Sequence, residues 1–413
     1  SAARAVSFNE KLRTAHVGVG GMGSGDLGSI ASHAKVEVAA LCDVDAERLA
    51  AAQKRHPRAK TFRDYREMLA TLGDSVDAVV VSTPDHTHAP AAMTALQLGK
   101  PVYCQKPLTH EVFEARQLRL VAEQKKVATQ MGIQVHSSAV YRRAVAIVQS
   151  GVIGKVKQVH AWSSKNWGYD GGPFTNEPEA PPSVAWDLWL DTAALRPFAR
   201  AYHPGGWRKF VDFGTGTLGD MGVHIFDTPY AALELTSPKW VRTTCRPPTG
   251  FGHPEKNKVE YEFPGTAHTT ESLLWTWYDG AFAPPTDLQL PEGLRLPSQG
   301  ALFLGEEAMM LLPHVGEAQL LPAEKFASYT RPDVPEGDHY HQWVDACFGE
   351  GQTSAGFQYA GPLTEALLLG VVANRFPGQT LAWDAENLAV TNVAEANALL
   401  RRTYRAGFEV EGL

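Results

Sequence analysis

Lys106, Asp220 and His224 are the side chains of this 413-residue chain whose types and settings could move protons. Oxidising a secondary alcohol by hydride transfer to a nicotinamide needs a group that takes the hydroxyl proton and others that hold the carbinol carbon against the ring. A lysine desolvated in a cofactor-lined pocket can be drawn toward a working pKa, and histidine already titrates in that range. Asp220 and His224 stand four apart, so a helix over 216–235 would turn both to one face, where the carboxylate could orient or charge the imidazole. Plainer readings compete: a solvated loop lysine, and an ion pair on a helix surface. The place of Lys106 at a strand end before Pro107, and the glycines around Asp220, favour the site.

Residues 15–23, Ala-His-Val-Gly-Val-Gly-Gly-Met-Gly, supply the turn such a cofactor needs. A short apolar strand runs into G-x-G-x-x-G. Gly18 permits the tight turn, Gly20 lets backbone approach a pyrophosphate, Gly23 lets the next helix pack on the strand, and Gly21 and Met22 open that helix toward the phosphates. A second strand over 36–41 ends in Cys42-Asp43, a carboxylate placed for the ribose hydroxyls. Val44 and Asp45 follow with no arginine to receive a 2′-phosphate, so NAD is expected over NADP. The β-branched run at 78–82 reads as a buried parallel strand that delivers Ser82, Thr83, Pro84, His86 and His88 to the ligand end of the sheet. Two histidines without a third ligand make no zinc site, so His86 and His88 are assigned to the flank of the nicotinamide and no metal is expected. The strand at 102–104 delivers Gln105 and Lys106 to the same cofactor.

This alternation predicts an α/β Rossmann domain over 1–134, with an extended arm at 1–10. After Gly132 the alternation stops. A helix over 137–149 leads to strands at 156–163, 239–246, 259–263 and 269–278, which follow one another without crossover helices. They predict an α+β domain over 135–413 with a large, mostly antiparallel sheet, one face of it open. The Pro-, Gly- and Trp-rich segment 166–208 is too long for an idle connection, and its aromatic side chains favour order. Gln134, Trp167, Tyr169, Trp207 and Arg208 are candidates for stacking on a sugar and contacting its hydroxyls, against the commoner role of tryptophan as core. The Pro-rich stretch 283–297 reads as a surface excursion. Helices over 338–348 and 363–373 are expected behind the second sheet, with His339 and His341 structural.

A net charge of −7 and a pI near 6.1 give no basic field for nucleic acid or anionic lipid. No uncharged apolar run reaches the ~18 residues of a membrane span. Cys42, Cys104, Cys245 and Cys347 show no C-x-x-C spacing, so neither a disulfide framework nor a zinc site is read. Small molecules are the expected partners, with no nucleic acid and no membrane.

In order, Gly18-Gly20-Gly23, Asp43, Thr83-Pro84 with His88, Lys106-Pro107 and Gly219-Asp-Met-Gly-Val-His224 resemble the Gfo/Idh/MocA family of oxidoreductases. The resemblance implies NAD as cofactor and Lys106, Asp220 and His224 as the catalytic trio, with the histidine as general acid/base and the lysine hydrogen-bonded to substrate. It also implies a homo-oligomer, dimer or tetramer, through the open sheet face, which an uncovered apolar face would itself require. One departure is Gln105, where the family usually has Glu before Lys-Pro. Without that carboxylate Lys106 should lose its proton more easily. The expected function is NAD-dependent oxidation of a secondary hydroxyl of a sugar, glycoside or cyclitol. Two alternatives stand beside it: redox-neutral glycoside cleavage or epimerisation through a keto-sugar on tightly bound NAD, and a non-catalytic module binding cofactor and sugar. The small, polar residues 1–10 look like a terminus left by signal cleavage. Members of that family resembling this chain often carry twin-arginine export signals, so the periplasm is expected on that premise and the cytoplasm otherwise.

Overall fold

The computed structural model describes residues 11–175, 178–288 and 290–413, so the arm expected at 1–10 lies outside the described residues. In the first part, strands β1 (Leu12–Val17), β2 (Val36–Cys42), β3 (Lys60–Phe62), β4 (Ala78–Val81), β5 (Val102–Gln105) and β6 (Thr129–Gly132) alternate with helices. These are α1 (Met22–Ala31), α2 (Ala46–Arg55), α3 (Tyr65–Leu72), α4 (His88–Gln97) and α5 (Val112–Lys125). All strand pairs are parallel, in the order β3-β2-β1-β4-β5-β6. The order reverses between β1 and β4, which opens a crevice at their carboxyl ends. β4 is fully buried because its four apolar residues meet a helical layer on each face.

The second part begins with α6 (Ala139–Gln149) and contains β7 (Val156–Ser163), α7 (Trp186–Leu190), α8 (Val223–Ala232), β8 (Trp240–Thr244), β9 (Asn257–Pro264) and β10 (Thr269–Asp279). It continues through β11 (Gln299–Gly305), β12 (Met309–Pro313), β13 (Gln319–Leu321), α9 (His339–Cys347), α10 (Phe357–Ala373), β14 (Thr380–Asp384) and β15 (Ala389–Val390). Its sheet runs β13-β12-β11-β7-β10-β9-β8-β14-β15, antiparallel except for the central pair β7/β10, which is parallel. That exception follows from connectivity: β7 and β10 are separated by α7, α8 and two strands, so no hairpin forces them to oppose.

Alternation divides the sheet into two faces. Val159, Ala161, Tyr261, Phe263, Trp275, Trp277 and Phe303 point to the helical side and share one core with residues of α6, α8 and α10. The other face is not the open apolar surface expected. Its apolar half, Trp162, Tyr278, Leu302, Leu304 and Leu311, is covered within the chain by Phe282, Leu288, Leu290, Leu294 and Leu296, so the Pro-rich excursion serves as a cover. The remaining half, on β8 and β9, carries the ion pairs Arg242–Glu260, Lys258–Glu260 and Lys239–Glu262.

Helix α9 also departs from expectation. It lies against α1 on the first sheet, where Trp343 and Val344 bury Ile30, Val80 and Tyr103. Helix α10 packs on α5 and joins the two parts. His339 is structural: Nδ1 meets Ser137 Oγ at 2.6 Å and Nε2 meets the Met131 carbonyl at 2.9 Å.

Candidate active site

The crevice at the strand ends is a cavity of about 340 Å³ lined by Gly18, Gly20, Gly21, Met22, Asp43, Ser82, Thr83 and Pro84 from the first part. The glycines are required by contact. A Cβ on Gly18, whose φ is +81°, would sit 2.4 Å from the Ser82 carbonyl oxygen, and one on Gly23 would sit 2.1 Å from that of Gly18. Helix α1 has Gly21 as its N-cap, with no side-chain cap and no acidic residue in its first turn, which leaves its N-terminal dipole for an anion. Asp43 accepts from the backbone amides of Val19 and Asp45, both at 2.9 Å, which fixes its carboxylate at the cavity wall. Thr83 Oγ1 is buried with no hydrogen-bond partner. A cradle that a Cβ would fill, an uncapped helix end and an oriented carboxylate suit the pyrophosphate and ribose of a dinucleotide.

The opposite wall comes from the long segment of the second part, whose Leu188, Trp189, Asp191, His203, Pro204, Gly205, Trp207 and Arg208 line the same cavity. Its described residues build their own core of Trp189, Tyr202, Trp207, Phe210 and Phe213. It is tied to the first part as a strap. Val184 forms a bridge with Asp45, Ala46 N–H donates to the Ser183 carbonyl at 2.9 Å, and Arg63 donates to the carbonyls of Val44 and Ser183.

At the end of the cavity Arg208 links it to the proton-moving residues. Arg208 Nε donates to Asp220 Oδ1 at 3.0 Å, and Lys106 Nζ donates to the same oxygen at 2.8 Å. The Arg208 guanidinium lies 4.2 Å from the ring centroid of Trp207 and 5.5 Å from that of Trp167. Although burial opposes ionisation of Asp220, Lys106 and Arg208 outweigh it and hold the carboxyl well below the usual carboxylate range. The carboxylate missing at Gln105 is thus supplied by Asp220, which pairs with Lys106. Gln105 instead donates to Asp26 at 2.9 Å, as do Ser82 Oγ at 2.7 Å and Tyr340 OH at 3.0 Å.

The expected helix over 216–235 is broken at its start. Leu218–Gly222 forms a π-helical turn before α8, so Asp220 turns to Lys106 and Arg208 instead of pairing with His224. His224 is held neutral, its pKa pushed well below 6.5 by burial and then by Lys106. Its Nδ1 is enclosed without a partner. Sequence reading missed His314, whose ring centroid is 5.8 Å from that of His224. Tyr141 OH accepts from Val315 N–H at 2.8 Å and lies 2.9 Å from His314 Nδ1, which fixes the imidazole beside His224. His314 follows β12, a strand without a sequence motif.

Other candidates lie elsewhere. His86 is buried between Trp189 and Phe213, its Nε2 3.1 Å from the Trp189 carbonyl, and is not part of the cavity wall. His88 joins the Pro107 and Thr83 carbonyls at 2.8 and 2.9 Å and so holds together the loops after β4 and β5. Gln134 donates to Tyr340 OH at 2.9 Å, away from the cavity wall. Tyr169 packs with Phe174, Phe210 and Phe251. Two lining residues carry no motif. Arg48 lies beside Gly20 and 3.6 Å from Asp45, so the cavity does contain an arginine. Asp191 has φ +46° and ψ −118°, a buried carboxyl, and an Oδ1 without a hydrogen-bond partner.

A dinucleotide-binding Rossmann domain joined to a mostly antiparallel α/β domain, with Lys106 joined through Asp220 to the Arg208 that lines the glycine-turn cavity, defines an oxidoreductase class. Residues 12–133 match the oxidoreductase family with NAD-binding Rossmann fold, and residues 139–245 match that family's C-terminal alpha/beta domain. The chain belongs to the Gfo/Idh/MocA family. It is 33% identical over 153 residues to inositol 2-dehydrogenase of Corynebacterium glutamicum (strain R), a match covering 36% of this chain and 44% of the relative. The match therefore spans less than half the length of that relative. Among solved structures, the WlbA dehydrogenase from Bordetella pertussis in complex with NADH and UDP-GlcNAcA has a TM-score of 0.64 at 16% identity, covering 91% of this chain and 99% of that one. An inositol dehydrogenase homolog from Azotobacter vinelandii, complexed with NADH and myo-inositol, has a TM-score of 0.59 at 16% identity over 91% and 98% of the two chains.

Proposed function

We propose that this protein oxidises a secondary hydroxyl of a sugar, glycoside or cyclitol, with NAD in the glycine-turn cavity. The observation that carries the reading is the convergence of Lys106, His224 and the Asp220–Arg208 pair at the end of that cavity. Gly18, Gly20, Gly21, Met22 and Asp43 would hold the cofactor, which supplies a hydride acceptor when bound. A neutral His224 accepts the hydroxyl proton. The Lys106 ammonium donates to the substrate oxygen and favours its negative charge as the proton leaves. Asp220 is a positioning residue that fixes Lys106 and Arg208. Arg208 and the face of Trp167 offer donors and an apolar plate to a polyhydroxylated ring. The names of the relatives support a cyclitol or sugar as the substrate class.

The strap favours a second reading, in which NAD stays bound and the cycle is redox-neutral. Such a turnover oxidises a hydroxyl, uses the ketone to acidify the neighbouring C–H, loses or inverts a substituent there, and reduces the ketone again. Lys106 and His224 would supply its proton transfers. Residence in the periplasm, where no nicotinamide pool regenerates the cofactor, would require this cycle. Denaturing the purified protein without added NAD and assaying released nicotinamide separates the two readings, alongside reduced-nicotinamide absorbance with a sugar and cyclitol panel. An empty protein that consumes one NAD per product rules out the redox-neutral cycle. No turnover and no product with any panel member rules out both. Self-association through the second sheet would have to use the ion pairs of β8 and β9, so an oligomer seen by light scattering should weaken with salt.

A further inference from the structure

The end of the second sheet beside His224 carries two groups with no part in the proton transfers, Lys165 and His314. Gln299 opens β11 opposite Ser163, the last residue of β7, and its carbonyl accepts from His314 N–H at 3.0 Å. Lys165 N–H donates to Ser163 Oγ at 3.2 Å, and Trp167 N–H donates to Thr217 Oγ1 at 2.7 Å, just before the π-helical turn of Asp220. Tyr141 holds His314 by Nδ1, while Nε2 has no partner among the described residues and is not enclosed. The turn that presents this ring is strained, since Val315 is β-branched, 72% exposed and at φ +54°. The Lys165 ammonium has no hydrogen bond and no ion pair within 4.0 Å among the described residues. Nearby acids are engaged or neutral. Asp220 lies between Lys106 and Arg208, Glu317 pairs with Arg143 and Arg331, and Asp279, beside Ser163 in the sheet, is pushed up to about 8 by burial. Burial pushes the pKa of His314 below 6.5, and the charges acting on it, Lys165 and Lys106, push the same way.

We propose that Lys165 and His314 form a second substrate subsite, which takes the carboxylate of a sugar acid such as a hexuronate while His224 and Lys106 act on a hydroxyl of the same ring. The inference rests on the reading of His224 and Lys106 as the groups at the reacting hydroxyl. The ring centroids of His224 and His314 are 5.8 Å apart, a separation that one sugar ring bridges. A carboxylate offers two acceptor oxygens and one negative charge. Lys165 supplies the free cation for one oxygen, and His314 Nε2 can donate to the other. A phosphate dianion asks for a second free cation, whereas Lys106 and Arg208 already share Asp220. Bound there, the carboxylate would balance the field that His314 now feels from cations alone.

The test uses the full chain saturated with NADH, so that a bound alcohol cannot turn over. Glucuronate, galacturonate and mannuronate are titrated calorimetrically at pH 7, each against its methyl ester, which keeps the shape and loses the charge. At least one acid should bind about tenfold or more tightly than its ester, the worth of a charged hydrogen bond. Lys165→Met should cut that acid-to-ester ratio by about fivefold, the upper end for an exposed ion pair, and His314→Gln by about two- to threefold, in protein that still binds NADH as wild type does. Equal binding of acid and ester, a ratio unchanged in K165M, or a hexose 6-phosphate that binds more tightly than every uronate each overturns the proposal. Turnover of neutral hexoses or cyclitols that is lost in Lys106→Ala and His224→Ala would then leave the oxidoreductase reading standing. Binding of no uronate, together with no turnover of any neutral hexose or cyclitol, overturns both.

Discussion

Asp191 should make the protein less stable as the pH rises from about 4 to 7, and replacing it should remove that loss. Its carboxyl lines the cofactor cavity, is 2% exposed and is pushed up to about 7 by burial, against an ordinary value of 3.8. Below the ordinary value both folded and unfolded forms are protonated and the group costs nothing. Above it the unfolded chain ionises first, so stability falls until the folded carboxyl also ionises, near 7. About three pH units at ~1.4 kcal/mol each give a loss of about 4 kcal/mol. Asp279, pushed up to about 8, adds a similar slope, so the informative quantity is the difference between variants. Asp191→Asn keeps shape and removes the charge, so its stability relative to wild type should rise across that window. Asp191→Gly should add about 1–3 kcal/mol at every pH by relieving the φ +46°, ψ −118° backbone, less up to ~1 kcal/mol for the freer unfolded chain. Guanidinium unfolding at one fixed NAD concentration from pH 4 to 8 measures both. Parallel stability curves for wild type and Asp191→Asn would refute the reasoning.

Lys106→Ala and His224→Ala should each lower turnover by about 10²–10⁴ while NAD affinity, read by fluorescence, stays as in wild type. Near-normal activity removes that residue from the mechanism. Asp45→Ala should release Arg48 toward a 2′-phosphate and improve NADP binding by roughly 10–100-fold, the worth of a charge-assisted hydrogen bond. An unchanged NADP affinity would show that Arg48 is not restrained by Asp45. Arg63→Ala should loosen the strap at Val44 and Ser183 and speed NAD dissociation in stopped-flow displacement, with little change in association. Equal dissociation rates would mean that the strap does not retain the cofactor.

The glycine turn, Asp43 and the strand ends were legible because each depends on local backbone geometry and falls at a fixed spacing. Asp220 and His224 were legible as types but not as a pair, since the π-helical turn that redirects Asp220 depends on Lys106 and Arg208 arriving from other elements. His86 and Tyr169 misled because a lone ring at a loop reads the same whether it faces a ligand or an aromatic core. Arg48, Asp191 and His314 were invisible: none sits in a spacing pattern, Arg48 reaches the cavity from the first turn of α2, and Asp191 and His314 reach their sites only through the strap and the β12 turn. Strands β11 to β13 lacked turn signals strong enough to separate them from the Pro-rich excursion before them.

The helix layer over β4 and β5 is completed only when α9 arrives, more than two hundred residues after β6 has been made. Until Trp343 and Val344 emerge, Val80 and Tyr103 stay exposed on a sheet whose parallel pairings already close slowly. The nascent first domain therefore waits, open on one side, through the whole synthesis of the second sheet. Its window for wrong association is set by translation time rather than by its own folding rate. The same late contact carries Tyr340 to Asp26, so the polar network behind the glycine turn also closes only in a finished chain. Partial chains from premature termination would then carry the fingerprint of a cofactor site without the rigidity to hold a cofactor, which leaves them open to proteolysis.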